Sequence, residues 1–231
     1  MGLFDAATPP PWDVFCRVVD NYGDAGIAWR LAAGLAARGV RVRLWIDDAA
    51  PLRFIAPQGA PGVQLCDWAQ AERDDGAPAV LPGAVVIETF GCEAPLAFMR
   101  RGLATPAAGA GAARGADACG GIDTAAEAAR AAQAAPPLLI NLEHLSAEPF
   151  VERSHGLPSP LSAAHGGGTR WFYFPGFSPA TGGLLREPAL LQQRAAFDRD
   201  AWLATHGLAL QGGERCAVLF CYADAPLAPL L

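Results

Sequence analysis

Two acids, Asp20 and Asp24, bracket a glycine-bearing segment, Asp20-Asn21-Tyr22-Gly23-Asp24-Ala25-Gly26, whose residue types and spacing are suited to chemistry. Paired carboxylates can attract a cation, accept its proton and stabilise positive charge that develops in a transition state. Gly23 and Gly26 let the backbone approach a ligand, and the N–H groups that open a helix can hold an anion or a sugar hydroxyl. Each acid also has a structural use, because Asp24 can cap the helix and Asp20 can initiate the turn. On spacing alone capping is the favoured role of Asp24. A helix amino terminus also stabilises its carboxylate, which makes it a weaker base unless desolvation or Asp20 opposes the effect.

The flanking pattern says how such a turn would be held. Residues Trp12 to Val19 read as a buried strand, and Ile27 to Arg38 have helical spacing with Gly39 placed to end it. A second strand, Val40 to Ile46, runs into Asp47-Asp48. Strand, turn, helix, strand is the opening of a doubly wound α/β domain, whose ligands collect at the carboxyl ends of the strands. Further strands are expected at Val63 to Cys66, Ala84 to Glu88 and Leu138 to Leu142, with a helix from Glu93 to Arg101. That alternation implies a parallel sheet. Residues 1–11 read as a flexible leader and Gly102 to Ala135 as an Ala/Gly surface insertion, with a possible alanine-rich helix over Thr124 to Ala134. The stretch Ser154 to Gly183 reads as irregular but packed, a cleft wall, since Trp171 to Phe177 holds five aromatics in seven residues. A helix around Leu190 to Thr205 and a strand from Cys216 to Tyr222 complete the expected elements.

Composition removes several chemistries. All 17 basic residues are arginine, so no lysine is present for a Walker loop, a kinase-type phosphate contact or a Schiff base. A formal charge of −6 argues against nucleic-acid binding and favours a basic partner. The six cysteines and four histidines lack the close spacings of metal or redox sites, so neither a metal nor a cofactor is expected. No apolar run approaches a spanning length of roughly 18 residues, and no basic amino-terminal signal precedes Arg17. The expectation is a cytoplasmic protein that meets no membrane. A dinucleotide site remains open as an alternative: Gly23 and Gly26 fall short of GxGxxG, but Asp47 lies about 20 residues beyond the turn, where a ribose-binding acid would stand. A solvated acid ending a strand is the favoured reading of Asp47.

The segment Trp12-Asp13-Val14-Phe15-Cys16-Arg17-Val18-Val19-Asp20-Asn21-Tyr22-Gly23-Asp24-Ala25-Gly26, followed by Trp29-Arg30-Leu31, resembles the start of the elongation factor P (EF-P) arginine rhamnosyltransferase family, EarP. Further blocks agree in order: Val42 to Asp48, Val86 to Cys92, Asn141 to Glu148, and Phe174-Pro175-Gly176-Phe177 leading into Thr181 to Glu187. The resemblance implies a GT-B fold of two Rossmann-like domains and metal-independent, inverting transfer of rhamnose from the nucleotide sugar TDP-β-L-rhamnose to one arginine of EF-P. It makes Asp24 the general base and Asp20 a supporting carboxylate. Asn21, Tyr22 and Gly23 would line the donor, together with Asp24, and Tyr222 would help to hold the nucleotide.

The chemistry suits these residues. A guanidinium keeps its proton well past neutral pH and is a poor nucleophile until a carboxylate orients it and takes a proton. Against the family pattern, His144 occupies the place of a tyrosine. The resemblance further leads us to expect an acceptor-side domain over 12–184 and, over 185–231, a linker helix and the first strand of a truncated donor domain, a chain inactive by itself. Two alternatives stand beside it: a module that docks EF-P without catalysis, and an NAD-dependent Rossmann oxidoreductase.

Overall fold

The computed structural model describes residues 9–20, 22–73, 80–103, 136–162, 167–219, 221, 225–226 and 228. Two compact units are formed, Met1–Pro188 and Ala189–Leu231. The first holds a seven-stranded sheet of β1 (Trp12–Cys16), β2 (Val42–Ile46), β3 (Val63–Asp67), β4 (Val85–Thr89), β5 (Leu138–Leu142), β6 (Pro158–Pro160) and β7 (Thr169–Tyr173). Spatial order is β3-β2-β1-β4-β5-β7-β6, parallel throughout except for the antiparallel β6–β7 pair at the edge. The expected α/β class with a parallel sheet is therefore found.

Alternation along the strands divides the core between the two faces of the sheet. Val14 and Cys16 of β1 pack with Leu44, Ile46 and the small face of α1 (Gly23–Ala36), where Ala25, Ala28 and Ala32 are fully buried. Small residues let the helix lie close on the sheet. Leu52 of α2 (Ala50–Ile55) joins the same side. On the other face Phe15 stacks on Trp45 with centroids 5.7 Å apart, and it meets Trp68 of α3 (Trp68–Glu72) and Phe98 of α4 (Leu96–Leu103) edge-on. Removing an aromatic from such a cluster costs about 3–5 kcal/mol.

The amino end of β1 is fastened by a group that the sequence reading did not single out. Asp13 is fully buried and accepts two hydrogen bonds from Arg43, one from Trp45 Nε1 and one from the Gly83 N–H. A Cβ at Gly83 would lie 1.8 Å from the carbonyl oxygen of Pro11, so only glycine fits there.

Several expectations about individual elements are corrected. The aromatic stretch between Ser154 and Gly183 is not wholly irregular: after α5 (Phe150–Ser154) it supplies β6 and β7, and β7 extends the parallel sheet beyond β5. Pro158 and Pro160 masked this, since proline is confined to edge strands, the place β6 occupies. In the second unit the single helix expected around Leu190 to Thr205 is broken into α6 (Leu190–Ala196) and α7 (Arg199–Thr205). Phe197 is extended between them and the Asp198 carboxylate caps α7 by accepting from the Ala201 N–H at 2.9 Å. Of the strand expected over Cys216 to Tyr222, the described residues Cys216 to Leu219 and Cys221 form none, with no neighbouring strand among the described residues to take their hydrogen bonds, and the other two lie outside the described residues. Within the first unit, Arg30 on α1 holds Glu187 and the Leu185 carbonyl. The alanine-rich helix proposed for Thr124 to Ala134 lies outside the described residues. No described helix is long and apolar enough to cross a membrane.

Candidate functional site

In a sheet of this order the chain leaves β1 toward β2 on one side, and β4 returns on the other. The divergence opens a crevice at the carboxyl ends of β1 and β4, the topological switch point where open α/β sheets bind ligands. A cleft of about 530 Å³ lies there, lined by Arg17, Val19, Asp24, Phe90, Gly91, Cys92, Glu93 and His144. These residues follow the ends of β1, β4 and β5, three adjacent strands, with Asp24 on the first turn of α1.

Asp24 does not cap its helix in the expected way. The N-cap position is Tyr22, which makes no side-chain capping bond. Instead the buried carboxylate of Asp24 turns back onto the preceding loop, its Oδ2 accepting from the N–H of Val19 at 3.0 Å and of Asp20 at 2.9 Å. Both bonds fall on one oxygen, and the residue borders the cleft, so Oδ1 is the atom able to meet a ligand. Asp20 is exposed beside it, with Oδ2 of its carboxylate close enough to Gly23 that a Cβ there would approach within 3.2 Å. The Gly23 N–H donates to the Asp20 carbonyl, which closes the turn.

Tyr22 is half exposed and packs its ring on Phe54, centroids 5.9 Å apart, outside the group that lines the cleft. Gly23 is exposed at the start of α1. Asn21 and Tyr222 lie outside the described residues. Asp47 serves structure locally: Oδ1 accepts from the Val18 and Asp48 N–H groups, and Oδ2 lies 3.9 Å from Arg17 Nε. That use fits the strand-end reading of Asp47 better than a ribose contact. Arg17 is drawn the same way and also lies over the Trp68 ring at 5.0 Å.

The far wall escaped the sequence reading. Phe90 has φ +57°, uncommon for a bulky residue, and Gly91 follows at +72°. The Phe90 N–H donates to the Leu142 carbonyl at 2.7 Å, and its ring stacks on His144 at 4.3 Å, 14° from parallel. Nearby, Thr89 Oγ1 and Cys92 Sγ both donate to the Phe15 carbonyl. Burial pushes the Cys92 thiol up to about 11 and the Cys16 thiol up to about 12, so neither supplies a thiolate near neutral pH. Behind this wall Glu88 is buried, accepting from the Ala94 N–H at 2.8 Å and making an ion pair with Arg170 at 2.8 Å. Desolvation raises its pKa against the pull of both partners. The available signal for these residues was positional, since each lies at a strand end next to the switch point.

The sequence model of the family described as "Elongation-Factor P (EF-P) rhamnosyltransferase EarP" matches residues 12–108 and 115–231. A protein-arginine rhamnosyltransferase of Pseudomonas putida is 39% identical over 226 residues, covering 94% of this chain and 52% of the relative. That of Pseudomonas aeruginosa is 38% identical over 230 residues with the same coverage, and that of Shewanella oneidensis 38% identical over 198 residues, covering 82% and 42%. The chain spans about half the length of the curated relatives it matches.

Proposed function

Since the chain belongs to the EarP family of EF-P rhamnosyltransferases, we propose that it forms the acceptor side of a protein-arginine rhamnosyltransferase of GT-B type that works in the cytoplasm. The reaction is inverting transfer of rhamnose from TDP-β-L-rhamnose to an arginine of EF-P, without a metal. The observation that supports it best is the placement of Asp24 at the switch-point cleft, its carboxylate oriented by the Val19 and Asp20 amides.

In this reading a guanidinium nitrogen of the acceptor approaches Oδ1 of Asp24, which takes one of its protons as the nitrogen attacks the anomeric carbon. The bond from that carbon to the diphosphate oxygen breaks, and TDP departs with the electron pair. The carboxylates of Asp24 and Asp20 favour the cationic character that the sugar gains in the transition state, as carboxylates do in glycoside chemistry. Fixing Asp24 through backbone amides avoids reorganising it during the reaction. Asn21, Tyr22, Gly23 and Tyr222 are assigned to the donor.

The test is intact-mass spectrometry of EF-P after incubation with TDP-β-L-rhamnose and either this chain or the chain continued into the second half of the P. putida relative. Addition of one deoxyhexose by either, lost in Asp24→Asn, supports the reading. No addition by a cooperatively folded form, with the P. putida enzyme active on the same factor and donor, refutes it. A folded chain that binds EF-P yet transfers nothing would instead be a docking module.

A further inference from the structure

We infer that the Phe90–His144 stack is the platform on which the planar guanidinium of the acceptor is laid, so that these two residues position the nucleophile that Asp24 deprotonates. The inference rests on the transferase reading and adds residues which that reading does not assign.

Three observations converge. First, the stack is maintained at a cost. A bulky residue with φ +57° is strained by on the order of 1–3 kcal/mol. Here the Leu142 carbonyl and the His144 ring hold it, both from the end of the adjacent strand β5. The conformation carries the aromatic side chain into the cleft wall.

Second, the ring that covers Phe90 is itself exposed. With one face of His144 against Phe90, the remainder of a flat π surface is open beside the same cleft that Asp24 borders. An arginine side chain satisfies both features at once, because its plane stacks on aromatic faces and its N–H groups pair with carboxylate.

Third, the charge around the platform selects a cation. Asp24 and Glu93 border the cleft with one basic residue, Arg17. Arg17 has Asp47 at 3.9 Å and the Trp68 ring at 5.0 Å, and the largely exposed Glu93 accepts from both Nη atoms of Arg170 at 3.4 Å. Two carboxylates thus border the cleft beside the rings, one buried and oriented by backbone amides, one exposed and paired with Arg170.

The experiment uses two readouts. In the 231-residue chain, the ring proton signals of Phe90 and His144 are followed by NMR during titration with Nα-acetyl-arginine amide and, separately, Nα-acetyl-lysine amide. The arginine probe is expected to shift both rings, and the lysine probe several-fold less. In the transfer-competent form, Phe90→Gly should raise the KM for EF-P on the order of tenfold, with kcat changed about twofold or less. Glycine relieves the positive φ, so the melting temperature should hold or rise, separating a lost platform from a damaged fold. His144→Tyr should keep the platform and His144→Leu should lose it. Equal shifts with the two probes, or an unchanged KM in Phe90→Gly, overturn the inference. If neither this chain nor its extended form transfers sugar while the P. putida enzyme is active on the same factor and donor, and the arginine probe still shifts both rings, the transferase reading fails and guanidinium binding stands.

Discussion

Oδ2 of Asp24 accepts the backbone N–H of Asp20 at 2.9 Å, so one acid of the pair holds the other in place across the turn. The same oxygen takes the Val19 N–H, and the loop between β1 and α1 is therefore shaped by the residue proposed as the base. Asparagine and alanine should separate the two duties. Asp24→Asn keeps an acceptor for the amides and loses the base, so transfer should fall about 100-fold or more while donor affinity changes little. Asp24→Ala should lose transfer equally and also cost about 1–2 kcal/mol in chemical denaturation. Equal stability of the two variants would show that the amide contacts contribute nothing.

Arg30 and Glu187 form an ion pair with Nε to Oε1 at 2.5 Å, holding the segment after Gly183 against α1. Both side chains are more than a third exposed, so Glu187→Gln should cost only about 0.5 kcal/mol. The hydrogen bond from Arg30 lowers the Glu187 pKa. Its contribution is therefore complete above the unfolded glutamate value and is lost as pH falls through the lower folded value. The Tm difference between wild type and Glu187→Gln should shrink on acidification and with added salt.

Glu88 behaves with the opposite sign. Burial, opposed by the Ala94 N–H and Arg170, raises its pKa, so the folded state holds this proton to higher pH than the unfolded chain does. Arg170→Met leaves a buried carboxylate without its cation and should cost about 3–5 kcal/mol at neutral pH. The penalty should diminish as pH falls and Glu88 takes up a proton. Denaturation curves at several pH values read this directly, and a penalty independent of pH would show that the ion pair is not the cause.

Two glycines test the close packing of the first unit. At Gly182 a Cβ would lie 2.3 Å from the Tyr173 ring, whose hydroxyl donates to the Gly182 carbonyl at 2.6 Å. Gly182→Ala must displace that ring and should destabilise the first unit by about 1–3 kcal/mol. Gly83→Ala collides with backbone rather than a side chain and should cost more. Thermal melts rank them, and the reverse order would contradict the described contacts.

Much of the fold was legible because it rests on local pattern. The alternation that sends Val14 and Cys16 to one face and Phe15 to the other is written in β1, and Leu138 to Leu142 reads as the strand it forms. Strand β7 was not legible in the same way, since an aromatic run flanked by glycine and proline has no period of its own. It becomes a strand because the edge of β5 offers hydrogen-bonding partners.

The candidate site divides along the same line. Sequence alone determined that Asp20 and Asp24 share a glycine turn between a strand and a helix, and its ordered blocks placed the chain among the EarP proteins. Only the tertiary structure decided that Phe90, Glu93 and His144 stand across a cleft from that turn, and that Asp24 spends one oxygen on the loop. The reason is that strand order is a non-local property. Pairing β1 with β4, and β4 with β5, joins strand ends far apart in the chain, and no spacing within a single segment records which edges will meet.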